Sequence, residues 1–292
     1  MTRTIPATLA PIIEELELEQ PRLVTIDQLS TLVAANGIRT SVKVVAARLR
    51  QHGWLLPTTT AGVWEFAPGA HAGPVGHGDP LIEIKAFIAG RPAFELVLTG
   101  ASALAAHNLL DRNPDAPHVA ISPDQRVPPT LRRLAMVSRY RSELSTVRLR
   151  GLPTHRVASV LVLAASHPTH LTSWAAIVDR LGDIIADCDL KDLSAELEGR
   201  PAATRARLAY LVHGVDPQLA DELLPPPNAG DEYPAVWFGS RKSGRSVRAS
   251  RRFGVRDSLL PFHPGEIQAN PGRTRSRADG PIADRPSAAD TK

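Results

Sequence analysis

The sequence predicts an α+β protein: an N-terminal winged helix-turn-helix followed by a mixed, mainly helical α+β domain with a basic β-rich C-terminal segment. Three observations carry this reading. Residues 25–66 hold two short amphipathic stretches, a glycine turn between them and two extended pieces after them. Residues 172–224 repeat apolar side chains at helical spacing. Residues 239–256 carry Arg241, Lys242, Arg245, Arg248, Arg251, Arg252 and Arg256 with no acidic residue.

The elements follow in order. Leu9, Ile12, Ile13 and Leu16 recur at helical spacing and predict a first helix from Pro11 to about Glu19. Thr25 suits a helix N-cap, with Ile26, Leu29 and Val33 on one face of the helix it starts. Asn36-Gly37 breaks that helix, Gly37 being fit for a left-handed turn. Thr40 or Ser41 can cap a second helix that turns Val42, Val45, Ala46 and Leu49 inward and leaves Ser41, Lys43, Val44, Ala47, Arg48 and Gln51 outside. Gly53 ends it. Trp54-Leu55-Leu56 and Val63-Trp64-Glu65-Phe66, joined by residues 57–62, complete a hairpin, the wing. The Gly/Pro-rich stretch Ala67 to Gly78 reads as a linker, and its His71 and His77 lack a third metal ligand nearby.

Further on, helices are expected at Leu81 to Ala89, Ala101 to His107 and Pro128 to Leu134, and Val157 to Ala165, apolar on all sides, is either a buried helix, the favoured reading, or a core strand. Extended segments are expected at Phe94 to Leu98, His118 to Ser122, Met136 to Arg141 and Val147 to Arg150. After a Thr172 cap, Trp174, Ile177, Val178, Leu181, Ile184 and Ile185 form one apolar stripe. Three more helices follow, around Leu190 to Leu197, Pro201 to His213 and Pro217 to Leu224, and then a strand at Tyr233 to Phe238. The domains expected are therefore 1–72 (winged helix), 79–262 (α+β) and 263–292. The last lacks periodicity, is rich in Pro, Gly, Arg and Asp, and is expected to be disordered.

Composition bounds the function. The chain has 292 residues, 43% of them hydrophobic, and a formal charge of +4. A basic balance favours anionic partners and says nothing about fold. One cysteine, Cys188, excludes an internal disulfide and a cysteine zinc cluster. The longest apolar run, Val157 to Ala165, is far shorter than the roughly 20 residues that span a bilayer. No membrane association and a cytoplasmic location are expected.

No active site, metal site or cofactor is expected. Ser102 follows an extended segment as a nucleophile elbow would place it, but Ala103 and Leu104 follow where glycine is needed. Asp187 and Asp189 form a D-x-D, yet better serve as the end of one helix and the cap of the next. His167 and His170 flank Pro168 without a convincing third ligand.

Duplex DNA is the expected partner of the head. Lys43 and Arg48 are candidate groove contacts, with Thr40, Ser41, Val44, Ala47 and Gln51 on the same face. Arg39, Thr58, Thr59 and Thr60 are candidate phosphate contacts. A second candidate surface for phosphate or an acidic partner is Arg241, Lys242, Arg245, Arg248, Arg251 and Arg252. The competing expectation for that segment is a solvated edge hairpin kept from pairing by its charges.

The run from Leu29 to Gly37, the run from Leu49 to Leu55 (LRQHGWL) and the block from Leu98 to Leu109 (LTGASALAAHNL) together resemble AbiEi-type antitoxins of abortive-infection toxin–antitoxin pairs. The resemblance implies a transcriptional autoregulator that binds inverted repeats in its own promoter. It also implies that the rest of the chain neutralises a cognate nucleotidyltransferase toxin. The recognition helix, Thr40 to Gln51, and the wing, Pro57 to Val63, carry over; the wing here lacks the family's basic, glycine-rich tip. A palindromic target implies two heads, as in a homodimer on DNA. The alternatives are a stand-alone regulator whose helical domain senses a ligand or protein, and a hydrolase built on Ser102.

Overall fold

The computed structural model describes residues 5–71, 75–170, 174–225, 232–241 and 247–267. The chain forms two compact units, Met1–Arg156 and Val157–Lys292. The first holds two hydrophobic cores, one on each side of the linker.

The head begins with α1 (Ala10–Glu19), β1 (Leu23–Thr25), α2 (Ile26–Ala35) and α3 (Val42–Gln51), followed by β2 (Leu55–Pro57) and β3 (Val63–Phe66). The strands form an antiparallel sheet in the order β1-β3-β2. This is the element order and sheet order of a winged helix. Its core joins Leu9, Ile12, Ile13 and Leu16 of the first helical stretch to Leu29, Val45, Leu49, Leu55 and Phe66. A capping box starts α2: the Gln28 amide N–H donates to Thr25 Oγ1 at 3.2 Å, and the Thr25 N–H donates to Gln28 Oε1 at 2.9 Å.

Past the linker come α4 (Ile82–Ala89), β4 (Val97–Leu98), α5 (Gly100–Ala106), β5 (His118–Ile121), α6 (Pro129–Leu134), β6 (Met136–Arg139), β7 (Val147–Leu149) and β8 (Leu152–Thr154). They build a five-stranded mixed sheet in the order β6-β5-β4-β8-β7. Gly100 opens α5 at φ +52°, and a Cβ there would lie 2.1 Å from the His118 ring nitrogen Nδ1. Only glycine fits the approach. The boundary expected near 72–79 separates two cores but not two compact units. Helix α4 packs on β1 and β3 of the head, and Asp79 binds Arg22, so the head and the five-stranded sheet form one body.

The second unit contains α7 (Val157–Ser166), α8 (Trp174–Val178), α9 (Leu181–Ala186), α10 (Leu190–Leu197), α11 (Ala202–Val212) and α12 (Pro217–Leu223). A small sheet of β9 (Val236–Phe238), β10 (Arg248–Ser250) and β11 (Val255–Asp257) follows, ordered β10-β11-β9. Residues 157–165 of α7 are all buried, as expected of a helix apolar on every side. The single stripe expected from Thr172 is two helices instead, parted at Asp179-Arg180; Thr172 itself lies outside the described residues. The carboxylate of Asp257, fully buried, accepts from Tyr210 Oη at 3.2 Å, from Arg248 at 3.1 Å, and from the amides of Leu259 and Leu260 at 2.9 Å each. Burial first, and then the Asp257 charge, push the Tyr210 phenol well above its ordinary pKa. The disorder expected from 263 onward does not hold at its start: His263 Nδ1 accepts from the Gly265 amide and Pro264 is buried. Residues 268–292 lie outside the described residues.

Candidate nucleic-acid interface

The turn between α2 and α3 is set by Gly37 at φ +62°, with its N–H donating to Ala34 O and the Ile38 N–H to Val33 O, both at 3.1 Å. This closes α2 and points the chain into α3. Val45, Ala46 and Leu49 of α3 are buried in the head's core, and Ser41, Lys43, Val44, Ala47, Arg48, Arg50 and Gln51 are exposed. At about 100° per residue, the outward direction opposite that buried set passes through Val44, Ala47 and Gln51. Lys43 and Arg48 flank this line on opposite sides. The centre of the face is therefore apolar with one amide, and the cations sit where the walls of a groove would be. Arg39 is exposed just before the helix; Thr40 is half-buried.

The wing threonines depart from expectation. Thr58 Oγ1 donates internally, lying 2.8 Å from Val63 O, and also accepts from the Thr60 amide. Thr59 donates both its amide, at 2.9 Å, and its hydroxyl to Glu83 of α4. Thr60 is buried, its methyl close against Gly90 at the end of α4. None of the three turns a free hydroxyl outward, and the Glu83 carboxylate at the wing tip repels phosphate. The expected phosphate contacts of Thr58, Thr59 and Thr60 are thus replaced by a strap between wing and α4. The candidate interface narrows to α3 and Arg39.

The arginine-rich segment divides similarly. Lys242 and Arg245 lie outside the described residues. Arg248 is committed to Asp257 and to the carbonyl of Leu260, and Arg252 to Asp221. Arg248 ties β10 to β11 and Arg252 ties the turn between them to α12. Arg241 and Arg251 remain exposed, Arg241 with its guanidinium 5.9 Å from the Trp237 ring centre.

The other sequence candidates have structural partners. Ser102 is buried and its Oγ accepts from the His118 amide at 2.8 Å. Asp189 caps α10, accepting from the Asp192 amide at 2.7 Å. His167 and His170 stack with ring centres 5.1 Å apart. Among the described residues no cluster of three metal-ligating side chains occurs, and no helix is long and apolar enough to cross a membrane.

The fold is that of an α+β protein whose first unit opens with a helix-turn-helix head and whose second unit is mainly helical. Residues 96–213, from the approach to β4 to the end of α11 and so including parts of both units, match the family model of the AbiEi antitoxin C-terminal domain. The match leaves the head, and the chain beyond α11, outside it. Among solved structures, the crystal structure of the RV2827C protein from Mycobacterium tuberculosis is similar, at 26% identity and a TM-score of 0.76. The similarity covers 89% of this chain and 94% of that one. No curated protein matches the chain.

Proposed function

We propose that this protein is a DNA-binding antitoxin that represses its own operon by laying α3 into the major groove of inverted repeats. Through the remainder of the chain it neutralises a cognate nucleotidyltransferase toxin. The observation that carries the DNA half is the outer face of α3. Its centre, Val44 and Ala47, suits the thymine C5 methyl; Gln51 suits adenine, which offers one donor and one acceptor in the major groove. Lys43, Arg48 and Arg39 suit phosphate or guanine. The antitoxin domain supports the other half. Two heads on one palindrome call for a homodimer or paired monomers.

Binding of the chain's own promoter fragment, followed by fluorescence anisotropy against salt, tests the first half. The four exposed cations of α3 and its approach (Arg39, Lys43, Arg48 and Arg50) can contribute at most roughly −3.6 to the log–log salt slope per head, at about 0.9 per phosphate. K43A/R48A is expected to abolish retention of the promoter fragment. The same double variant, co-expressed with the neighbouring toxin gene, is expected still to rescue growth and to co-purify with the toxin. Unchanged promoter binding by K43A/R48A removes the DNA reading; loss of rescue by the wild type removes the antitoxin reading.

A further inference from the structure

The first unit contains a cavity of about 720 Å³ walled by Arg22, His77, Asp79, Lys85 and Arg150, with Gly78 and Gly151 leaving it open. Its wall comes from the approach to β1, the linker, α4 and the β7–β8 turn. Among the described residues, Asp79 is the one carboxylate in this wall. It is nearly inaccessible and accepts from Lys85 Nζ at 2.5 Å, Arg22 at 3.0 Å and the Leu81 amide at 2.9 Å. Burial alone would raise its pKa, but the Lys85, Leu81 and Arg22 bonds hold it below the ordinary value. Asp79 thus stays ionised and orients two of the three cations.

The third cation is held by an unfavourable turn. Leu149 pairs with Leu152, so Arg150-Gly151 is a two-residue hairpin loop, with φ +50° and +79°. That geometry favours Asn-Gly and disfavours arginine at the first position. The Arg150 guanidinium reaches back to Asn113 Oδ1 at 3.1 Å and to the Ala105 carbonyl at 3.0 Å. Both acceptors are neutral, so they fix its position without cancelling its charge. Glu65 accepts from the His77 amide at 2.7 Å and its carboxylate lies 3.8 Å from His77 Nδ1, so it is taken up by His77. Lys85 and Arg22 therefore share one carboxylate while Arg150 bonds neutral acceptors, which leaves excess positive charge around a space large enough for a nucleotide-sized molecule.

We propose that this cavity binds phosphate groups, with Arg150, Lys85 and Arg22 as the charged donors. The phosphate belongs either to a free di- or triphosphate compound or to the backbone of a duplex, and the test separates these sources. Isothermal titration of the full chain with inorganic pyrophosphate is expected to show one saturable site. R150N, which gives the turn its favoured residue and should leave the melting temperature intact, is expected to weaken binding about tenfold or more, the effect of losing a charge-assisted bond. R22Q, at a side chain 59% exposed, serves as a second variant with the same expectation. In parallel, anisotropy on a duplex of scrambled sequence is measured for the wild type and both variants. Pyrophosphate binding that both substitutions weaken assigns a small phosphate ligand. No pyrophosphate binding, together with a salt slope lowered by about one unit in R150N, assigns duplex phosphates. Pyrophosphate binding indifferent to both substitutions overturns the proposal. So does the absence of pyrophosphate binding together with unchanged duplex affinity.

Discussion

Val44 is 42% exposed near the centre of the outer face of α3, an isopropyl group held toward solvent. In a major groove its natural counterpart is the C5 methyl of thymine. Replacing a single dT by dU deletes that methyl and leaves every hydrogen-bonding edge intact. A methyl covered by an isopropyl group removes about 30 Å² of apolar surface from water, which at ~25 cal/mol per Å² is about 0.8 kcal/mol. That is roughly fourfold in Kd for one half-site, and roughly 15-fold when both repeats are substituted and both heads respond. The assay is anisotropy at fixed salt on the footprinted operator, with a series of duplexes carrying one dT→dU change each. One position per half-site should show the loss. V44A should bind the parent operator more weakly and be nearly indifferent to the change at that position, so the double cycle isolates the contact. A wild-type protein insensitive to dU at every position refutes the reasoning. Equal losses for V44A and the wild type assign the methyl contact to another side chain.

Three further outcomes are expected. G100A forces a side chain into the left-handed region and against the His118 ring; the two effects together cost about 2–5 kcal/mol. The transition of the first unit should drop by roughly 2–4 °C per kcal/mol in a thermal melt. D257N leaves Arg248 without its buried counter-charge and sets an amide against four donors, so the second unit should lose about 3–5 kcal/mol in chemical denaturation. His167 and His213 both have pKa values below 6.5, His167 through burial and then His170, Arg207 and Arg200, and His213 through burial and then Arg252 and His263. The unfolded chain therefore takes up protons first as pH falls. Stability is full above 6.5 and is lost as pH drops toward the folded-state values. Denaturation midpoints at about pH 7.5 and about pH 5.5 should differ in this direction, and a His167→Asn, His213→Asn variant should flatten the difference.

Much of the architecture was legible where a pattern ran long enough. The apolar run of α7, interrupted only by Ser159, fitted either a buried helix or a core strand from its pattern, and the fold settles it as a helix. The capped, periodic α2 and α3 declare both their ends. Short elements escaped: β1 spans three residues and merges with the cap of α2, and β8 was hidden because its hairpin turn carries arginine where Asn would announce it. The exposed face of α3 followed directly from helical spacing. The wing did not, because the partners of Thr59 and Thr60 are Glu83 and Gly90, distant in sequence and brought close only by the docking of α4. In the basic segment, the acid-free run stops one residue short of Asp257, the buried group that claims Arg248. Charge counting along a sequence cannot show which cations are already neutralised in space.

The strap from the wing to α4 makes the head a fixed fitting rather than a bead on a string. A protein that swings its DNA-reading part on a loose tether tolerates variable distances between target repeats; one clamped to its body measures them. If two copies sit side by side, separating the repeats by about 5 extra base pairs, half a turn of the duplex, puts the second target on the far side of the double helix. Adding a whole turn restores the facing but not the distance.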